Sequence, residues 1–247
     1  MADLSSLAQV LRDRHRGADG RSFDDAELPP DFASAMRVQR EVCEALRERV
    51  AGWKVGFSPD AVGVAGPIYA RLMHVSGTRV ALPPLGFIVE IELAFRLAAD
   101  LPARDYVRDD ILDATSEILI GVELVAGRRG EPPSVPYLAF LADNVGNAGY
   151  VTGAATRNFR ALDLKALPLR FSIDGDVVEA KLGGHPQGDP VEPLRVVATR
   201  PADELGGFRR GQIVTTGSLS KPLRIDRPAR IDASLEGVGN VSVTLTR

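Results

Sequence analysis

Three glutamates and a lysine are the residues of this chain best suited to chemistry. In Phe87-Ile-Val-Glu-Ile-Glu-Leu-Ala-Phe95, one residue separates Glu90 from Glu92. On a strand both would point to one face, and Val89, Ile91 and Leu93 to the other. Two such side chains sit roughly 7 Å apart along the strand, close enough to lean onto one cation. Glu123 stands alone among apolar residues in Ile120-Gly-Val-Glu-Leu-Val125, with Gly121 on its own face. A charge there is costly unless it is solvated, paired or bound to a metal. A wet face of an antiparallel sheet would explain the glutamates as well. Ligation by carboxylates alone, where it occurs, suits Mg²⁺ or Mn²⁺ before Zn²⁺. The three histidines, His15, His74 and His185, are too widely spaced for a histidine-rich zinc site.

Gly52-Trp-Lys-Val-Gly56 puts Lys54 on a strand face between two glycines, whose missing side chains would leave open space beside the ammonium. An anion could sit there, or a lysine of lowered pKa could move protons; an exposed edge lysine is the plainer alternative. Gln212-Ile-Val-Thr-Thr-Gly-Ser-Leu219 reads as a strand entering a turn. Its backbone N–H groups, with a hydroxyl from Thr216 or Ser218, could hold a carboxylate. Asp143-Asn144 precedes Gly146-Asn-Ala-Gly149, a second place where a ligand could approach backbone, with Asp143, Asn144 and Asn147 as candidate substrate contacts.

The elements that must position these groups change character along the chain. Residues 4–15 and 30–50 carry apolar residues at helical spacing, with Gln39 interrupting the second stripe. A Gly-, Asp- and Pro-rich loop is expected over 17–30. From Gly52 onward the chain breaks into short β-like runs at 53–57, 78–82, 87–97, 117–125, 147–152, 169–173, 177–182, 212–217 and 241–245. A third helix is expected over 106–115, with Val107, Ile111 and Ala114 inward. Many strands with few helices between them predict an α+β fold with a mixed, largely antiparallel sheet. The expected organisation is an N-terminal helical segment, 1–50, and a β-rich catalytic unit, 51–247.

With 247 residues, 45% of them hydrophobic and 26% charged, and a net charge of −3, the chain reads as an ordinary globular protein. No dense Lys/Arg cluster offers a nucleic-acid footprint. No window approaches a membrane span, and the N-terminus does not read as a signal peptide, so the expected setting is cytoplasmic. No glycine-rich fingerprint follows a strand, which argues against a dinucleotide or nucleotide cofactor. Cys43, the single cysteine, reads as a small buried apolar residue.

In order, Gly52-Trp-Lys-Val-Gly56, Val89-Glu-Ile-Glu-Leu-Ala-Phe95, Val122-Glu-Leu-Val125 with Arg128 after it, Ala142-Asp-Asn144 and Thr216-Gly-Ser-Leu219 resemble the fumarylacetoacetase superfamily. The match is to its 2-oxopent-4-enoate hydratase and 4-oxalocrotonate decarboxylase branch, whose helical lead-in the N-terminus also resembles. The resemblance implies a rolled β-fold of the fumarylacetoacetase C-terminal type, holding one Mg²⁺ or Mn²⁺ at its mouth on Glu90, Glu92 and Glu123. Lys54 maps to the catalytic lysine. The implied activity is a metal-dependent hydratase of a small 2-oxo or 2-hydroxydienoic acid in aromatic degradation. Alternatives are a decarboxylase of 4-oxalocrotonate type, an acylpyruvate hydrolase or an attenuated metal-binding subunit. A homo-oligomer, or one member of a decarboxylase/hydratase pair, is implied as the assembly.

The chain departs from that pattern in places. Gly66-Pro-Ile-Tyr-Ala-Arg-Leu-Met73 offers Tyr69 and Arg71 where the branch carries acids, and Ala126 replaces an acid after the third glutamate. The late aromatic-containing helix is altered to Asp189-Pro-Val-Glu-Pro-Leu-Arg-Val196. Arg71 could meet a distal substrate carboxylate. His185, in Gly183-Gly-His-Pro186, reads as a solvated loop residue that could also serve as an acid or base.

Overall fold

The computed structural model describes residues 4–17, 28–128, 135–200 and 206–247. Two helices come first, α1 (Leu4–His15) and α2 (Phe32–Leu46), followed by β1 (Val50–Phe57), β2 (Gly63–Tyr69), β3 (Met73–Val75), β4 (Arg79–Ala81) and β5 (Phe87–Leu97). Next come α3 (Arg108–Asp113), β6 (Thr115–Val125), α4 (Tyr137–Ala142), β7 (Asn147–Thr156), β8 (Pro168–Ile173) and β9 (Asp176–Leu182). The chain ends with α5 (Glu192–Ala198), β10 (Ile213–Ser218), β11 (Leu223–Ile225), β12 (Ala229–Leu235) and β13 (Gly239–Thr246). Most of the loop expected over 17–30 lies outside the described residues. Among the described residues no helix is long and apolar enough to cross a membrane.

The strands form two sheets. The larger runs β2-β1-β10-β5-β6-β7-β3, with β11 also paired to β5; the smaller runs β4-β13-β12-β8-β9. Pairing is antiparallel except for β1 with β10, β3 with β7, and β4 with β13. The larger sheet rolls up: its end strands β2 and β3 are joined by the three-residue turn Ala70–Leu72. Ile68 of β2 thereby packs with Tyr150 of β7, Ala94, Leu119 and Ile213. The α+β class and the mixed, largely antiparallel rolled sheet are as the sequence predicts.

Strand β5 shows how the sequence sets the layers. Val89, Ile91, Leu93 and Phe95 are buried in the main core with Phe171, Ile231 and Val243 of the smaller sheet. By alternation Glu90, Glu92 and Ala94 must face into the roll. Burying the four apolar side chains removes water from one side of the strand, worth about 1.5–3 kcal/mol each, and fixes the register of the other side.

The helices pack outside this roll. Asp31 caps α2 by accepting the Ser34 N–H at 2.7 Å. Leu7 and Leu11 of α1 meet Ala35, Val38 and Val42 of α2, and both helices pack with Leu141 of α4. Gln39, which interrupts the stripe, is fully buried, and its amide donates to the Ala65 carbonyl at 3.2 Å and to the Leu141 carbonyl. The third helix is shorter than expected. It starts at Arg108, so Val107 is 66% exposed instead of inward, while Ile111 is buried as expected. Strand β2 is absent from the sequence reading because glycine and proline dilute its β-propensity, yet every residue of it is buried between neighbours. The short strands β3, β11 and the longer β12 were also not anticipated.

Candidate active site

Five adjacent strands deliver the polar groups to the inside of the roll. Register pairs Lys54 of β1 with Thr215 of β10, Thr215 with Ala94 of β5, Glu90 with Glu123 of β6, and Glu123 with Tyr150 of β7. Paired residues share a face, so Lys54, Thr215, Glu90, Glu92, Glu123 and Tyr150 line one surface. Glu92 lies opposite Gly121. A Cβ at 121 would collide with the ring and hydroxyl of Tyr150, so the glycine is what lets that ring lie beneath the carboxylates.

Glu90, Glu92 and Glu123 each offer an oxygen, and these oxygens lie within 4.8 Å of one another. Glu92 is 1% and Glu123 0% exposed. Burial and then repulsion from Glu123 and Glu90 push the Glu92 carboxyl well above its usual range; burial also raises Glu90, against the pull of Lys54. Glu92 accepts from the Thr215 hydroxyl and from the Gly217 N–H. Glu123 Oε1 accepts from Asn147 Nδ2 at 2.8 Å and meets Lys54 Nζ at 2.9 Å. Its other oxygen, Oε2, is buried with no hydrogen-bond partner among the described residues. Three carboxylates facing one ammonium, with an oxygen left over, leave a deficit of positive charge in a buried space. A hard divalent cation fits that donor set.

Lys54 is held by Glu123 and by the Val145 carbonyl, 3.1 Å from Nζ. Burial would lower its pKa, but Glu123, Glu90 and Glu92 outweigh burial and raise it, the reverse of the expected direction. The glycines beside it differ. The space beside Gly56 is open, whereas a Cβ at 52 would meet the Ile213 carbonyl of β10. Open space therefore lies on one side of the lysine only.

The Val145 carbonyl is aimed by an unusual turn. Asn144, Val145 and Gly146 are consecutive left-handed residues, at φ 55°, 53° and 69°. A β-branched residue there costs about 1–3 kcal/mol, so packing around the turn must impose the conformation. Asp143 supplies one restraint: it is buried, pairs with Arg128 Nη1 at 3.0 Å and accepts the Arg128 N–H. Arg128 Nη2 also donates to the Asn147 carbonyl at 3.0 Å, tying together both ends of the turn.

These groups open into a cavity of about 430 Å³ whose lining joins Lys54, Glu90, Glu92, Gly217 and Ser218 with apolar side chains, among them Ile88, Val125, Phe140 and Val145. Of the expected substrate contacts, Ser218 lines the cavity. Asp143, Asn144, Asn147 and Thr216 are buried outside its lining. Arg71 is not brought to the cavity either: its guanidinium pairs with Glu48 at 2.6 Å and donates to His15 Nδ1 at 3.0 Å. His185 is not solvated. It is buried, donates Nε2–H to the Thr216 carbonyl at 2.9 Å and accepts the Gln187 N–H on Nδ1 at 3.1 Å, so neither nitrogen is free for proton transfer. Burial lowers its pKa. The sequence reading missed Thr215, Tyr150, Val145 and Phe140. Only the alternation through Thr215 and the position of Gly121 across from Glu92 carried a signal for the first two.

No family model matches the chain. A 2-keto-4-pentenoate hydratase of Burkholderia vietnamiensis is 28% identical over 262 residues, covering all of both chains. A 4-oxalocrotonate decarboxylase of Pseudomonas putida is 25% identical over 227 residues, covering 85% of this chain and 84% of the relative. Among solved structures, 4-oxalocrotonate decarboxylase from Pseudomonas putida G7, complexed with magnesium and adipate, superposes with a TM-score of 0.86 at 21% identity, covering 98% of this chain and 97% of the other. Fumarylpyruvate hydrolase from Pseudomonas aeruginosa, in complex with Mn²⁺ and pyruvate, gives a TM-score of 0.56 at 15% identity, covering 78% of this chain and 88% of the other. The two structural likenesses speak for the fold, and the two sequence relatives for a likeness that runs along most of the chain. The chain is thus similar over most of its length to 2-keto-4-pentenoate hydratases and 4-oxalocrotonate decarboxylases, and its rolled fold is that of the solved 4-oxalocrotonate decarboxylase and fumarylpyruvate hydrolase.

Proposed function

We propose that the chain is a divalent-metal-dependent hydratase, a carbon–oxygen lyase acting on a small 2-hydroxydienoic acid, the enol form of a 2-oxo acid, in aromatic-compound degradation. The observation that carries this reading is the convergence of Glu90, Glu92 and Glu123 on one point, with Lys54 held against Glu123. Full-length alignment with a 2-keto-4-pentenoate hydratase supports it. The three carboxylates would hold Mg²⁺ or Mn²⁺. When bound, such an ion supplies Lewis acidity toward the carboxylate and 2-oxo oxygens of a 2-oxo acid.

The chain's own groups do the rest. Glu123 is fixed by Asn147 and Lys54, and Glu92 by Thr215 and Gly217, so neither carboxylate must reorganise when a substrate arrives. An ammonium has three donors. Two of those on Lys54 are engaged by Glu123 and Val145, which leaves one for a ligand in the cavity it lines. In hydration the dienol takes a proton at its far carbon, and water adds to the conjugated double bond that results. Lys54 orients that water or carries the proton. Ser218 lines the cavity beside the carboxylates; its hydroxyl donates to the Ser220 carbonyl at 2.9 Å and would turn from it to meet the substrate's own carboxylate. Asp143 acts by holding the turn through Arg128, and Asn147 by holding Glu123.

The test is metal-dependent loss of the ultraviolet absorbance of 2-hydroxypenta-2,4-dienoate, with the 4-hydroxy-2-oxo acid identified as product. Chelation should abolish the reaction and added Mg²⁺ or Mn²⁺ restore it. Tight metal binding without turnover of this substrate would sink the hydratase reading, and CO₂ release from a 2-oxo dicarboxylate would replace it with a decarboxylase.

A further inference from the structure

Strand β10 reaches the carboxylates through a bulge. Its register on β5 sets Thr215 opposite Ala94 and Ser218 opposite Glu92, so two residues of β10, Thr216 and Gly217, stand against the single residue Leu93. Ala94 and Glu92 share a face of β5, and Thr215 and Ser218 therefore share it too. Strict alternation would have turned Ser218 to the other side of the sheet. The extra residue lets β10 give Glu92 both the Thr215 hydroxyl and the Gly217 N–H and still bring Ser218 to the cavity. Beyond the bulge the two strands are joined again. The Leu219 N–H donates to the Ile91 carbonyl at 2.7 Å, and the Ile91 N–H to Ser220 Oγ at 3.0 Å.

His185 lies over this bulge. Gly217 is at φ 116°, a conformation that side chains disfavour, and a Cβ there would stand 3.5 Å from His185 Nε2. The Gln187 N–H can only donate, so Nδ1, 3.1 Å away, is the accepting nitrogen and Nε2 carries the hydrogen of the neutral ring. Nε2 donates it to the Thr216 carbonyl at 2.9 Å. That carbonyl and the Gly217 N–H are the two ends of one rigid, planar peptide. One end is held by His185 and the other meets Glu92. A turn of this peptide would break both bonds at once.

The imidazole is in a position to hold it, because its own loop between β9 and α5 is anchored on both sides. The Gly183 N–H donates to the Leu167 carbonyl at 3.0 Å, and the Gly188 N–H to the His185 carbonyl at 2.9 Å. Asp189 pairs with Arg108 at 2.7 Å and accepts the Val191 N–H at 3.0 Å. We propose that His185 is a positioning residue for Glu92, acting through the Thr216–Gly217 peptide, which it holds in the orientation that aims the Gly217 N–H at the carboxylate. The inference rests on the reading of Glu90, Glu92 and Glu123 as cation ligands and adds to it a residue outside the cavity lining.

Titration calorimetry of the full chain with Mg²⁺ tests this through two polar replacements. The amide of His185→Gln can reach the Thr216 carbonyl in place of Nε2, whereas the shorter His185→Asn replaces only the acceptor for the Gln187 N–H. His185→Asn should weaken Mg²⁺ about 10–100-fold, and His185→Gln should stay within about threefold of the native chain. Val243→Ala, which truncates a buried side chain between the two sheets, is the control: its urea midpoint should fall while its Kd for Mg²⁺ holds. Equal Mg²⁺ affinity in the two His185 variants, or a loss in Val243→Ala as large as in His185→Asn, overturns the inference and leaves the cation reading intact. Failure of the native chain to bind Mg²⁺ or Mn²⁺ overturns that reading, and the inference with it.

Discussion

The buried pair of Arg128 and Asp143 gives a prediction in which the two partners must behave differently. Asp143 is 2% exposed, and burial raises its pKa even though Arg128 donates to it twice. The attraction therefore does not repay desolvation, and the pair stands because each charge needs the other. Asp143→Asn leaves a guanidinium buried that cannot shed its proton, so the loss should be about 3–5 kcal/mol and nearly constant from pH 8 to 5. Arg128→Met leaves a carboxylate that can take up a proton, and His15 Nε2, 4.0 Å from Asp143 Oδ1, offers that proton a second place. Arg14 and Arg71 also face this cluster and remain in both variants. With the folded pKa raised further, the folded state binds more protons than the unfolded one. The stability penalty of Arg128→Met must then grow as pH rises, by up to about 1.4 kcal/mol per unit between the unfolded and folded pKa. Trp53, the only tryptophan, is buried edge-on to Phe208 and reports unfolding in urea by fluorescence. Near neutral pH the Asp143→Asn loss corresponds to a fall in Tm of roughly 6–20 °C for a chain of this size. The double variant Arg128→Met/Asp143→Leu should recover most of it. A loss below about 1 kcal/mol for Asp143→Asn, or an Arg128→Met penalty that does not change with pH, would refute the reasoning.

Four further outcomes follow from the same geometry. Glu123→Gln should abolish Mg²⁺ binding in calorimetry, and unchanged affinity removes Glu123 from the ligand set. Lys54→Met should keep the metal yet lower kcat by about 10²–10⁴; near-normal turnover takes the lysine out of the reaction. Gly121→Ala drives a methyl group into Tyr150, so Mg²⁺ affinity should fall about 10–100-fold through the displaced glutamates, and an unaltered Kd contradicts that coupling. Burial, then Arg128 and Arg71, lower the His15 pKa to about 2. Its neutral form thus contributes stability that is fully present above pH 6.5 and lost on acidification, at about 1.4 kcal/mol per unit. Urea midpoints from pH 7 to 5 should fall more steeply for the native chain than for His15→Gln, and parallel curves would show that His15 titrates normally.

What the sequence made legible was the alternation. Strand β5 spans the predicted residues 87–97, and its two glutamates share a face because four apolar neighbours claim the other. Glu123 was marked by its isolation among apolar residues, and its register opposite Glu90 is what brings the two carboxylates together. The parts that were not legible depend on contacts remote in sequence. Gln39 looked like a flaw in a helix face because its partners, Ala65 and Leu141, lie on β2 and α4. Arg71 looked available to substrate because nothing local shows that Glu48 and His15 occupy it. His185 looked solvated because Gly183, Gly184 and Pro186 mark a loop, yet the β10 backbone and its own loop satisfy both nitrogens.

The most informative failure is the turn at 144–146. Local rules place asparagine and glycine at left-handed positions but not valine, and no pattern announces that the Val145 carbonyl will reach a lysine on another strand. The conformation holds only because Asp143 and Asn147 are fastened by Arg128 and because Phe140 packs over Gly146. One short segment thereby connects three things: the orientation of Lys54, the hydrogen bond on Glu123 and the apolar wall of the cavity. Strain of this kind persists where the surroundings over-determine it, and here they do so beside the cluster of carboxylates. Loosening any one fastening should therefore disturb lysine, glutamate and cavity wall together, whereas independent sites on a tolerant scaffold would respond one at a time.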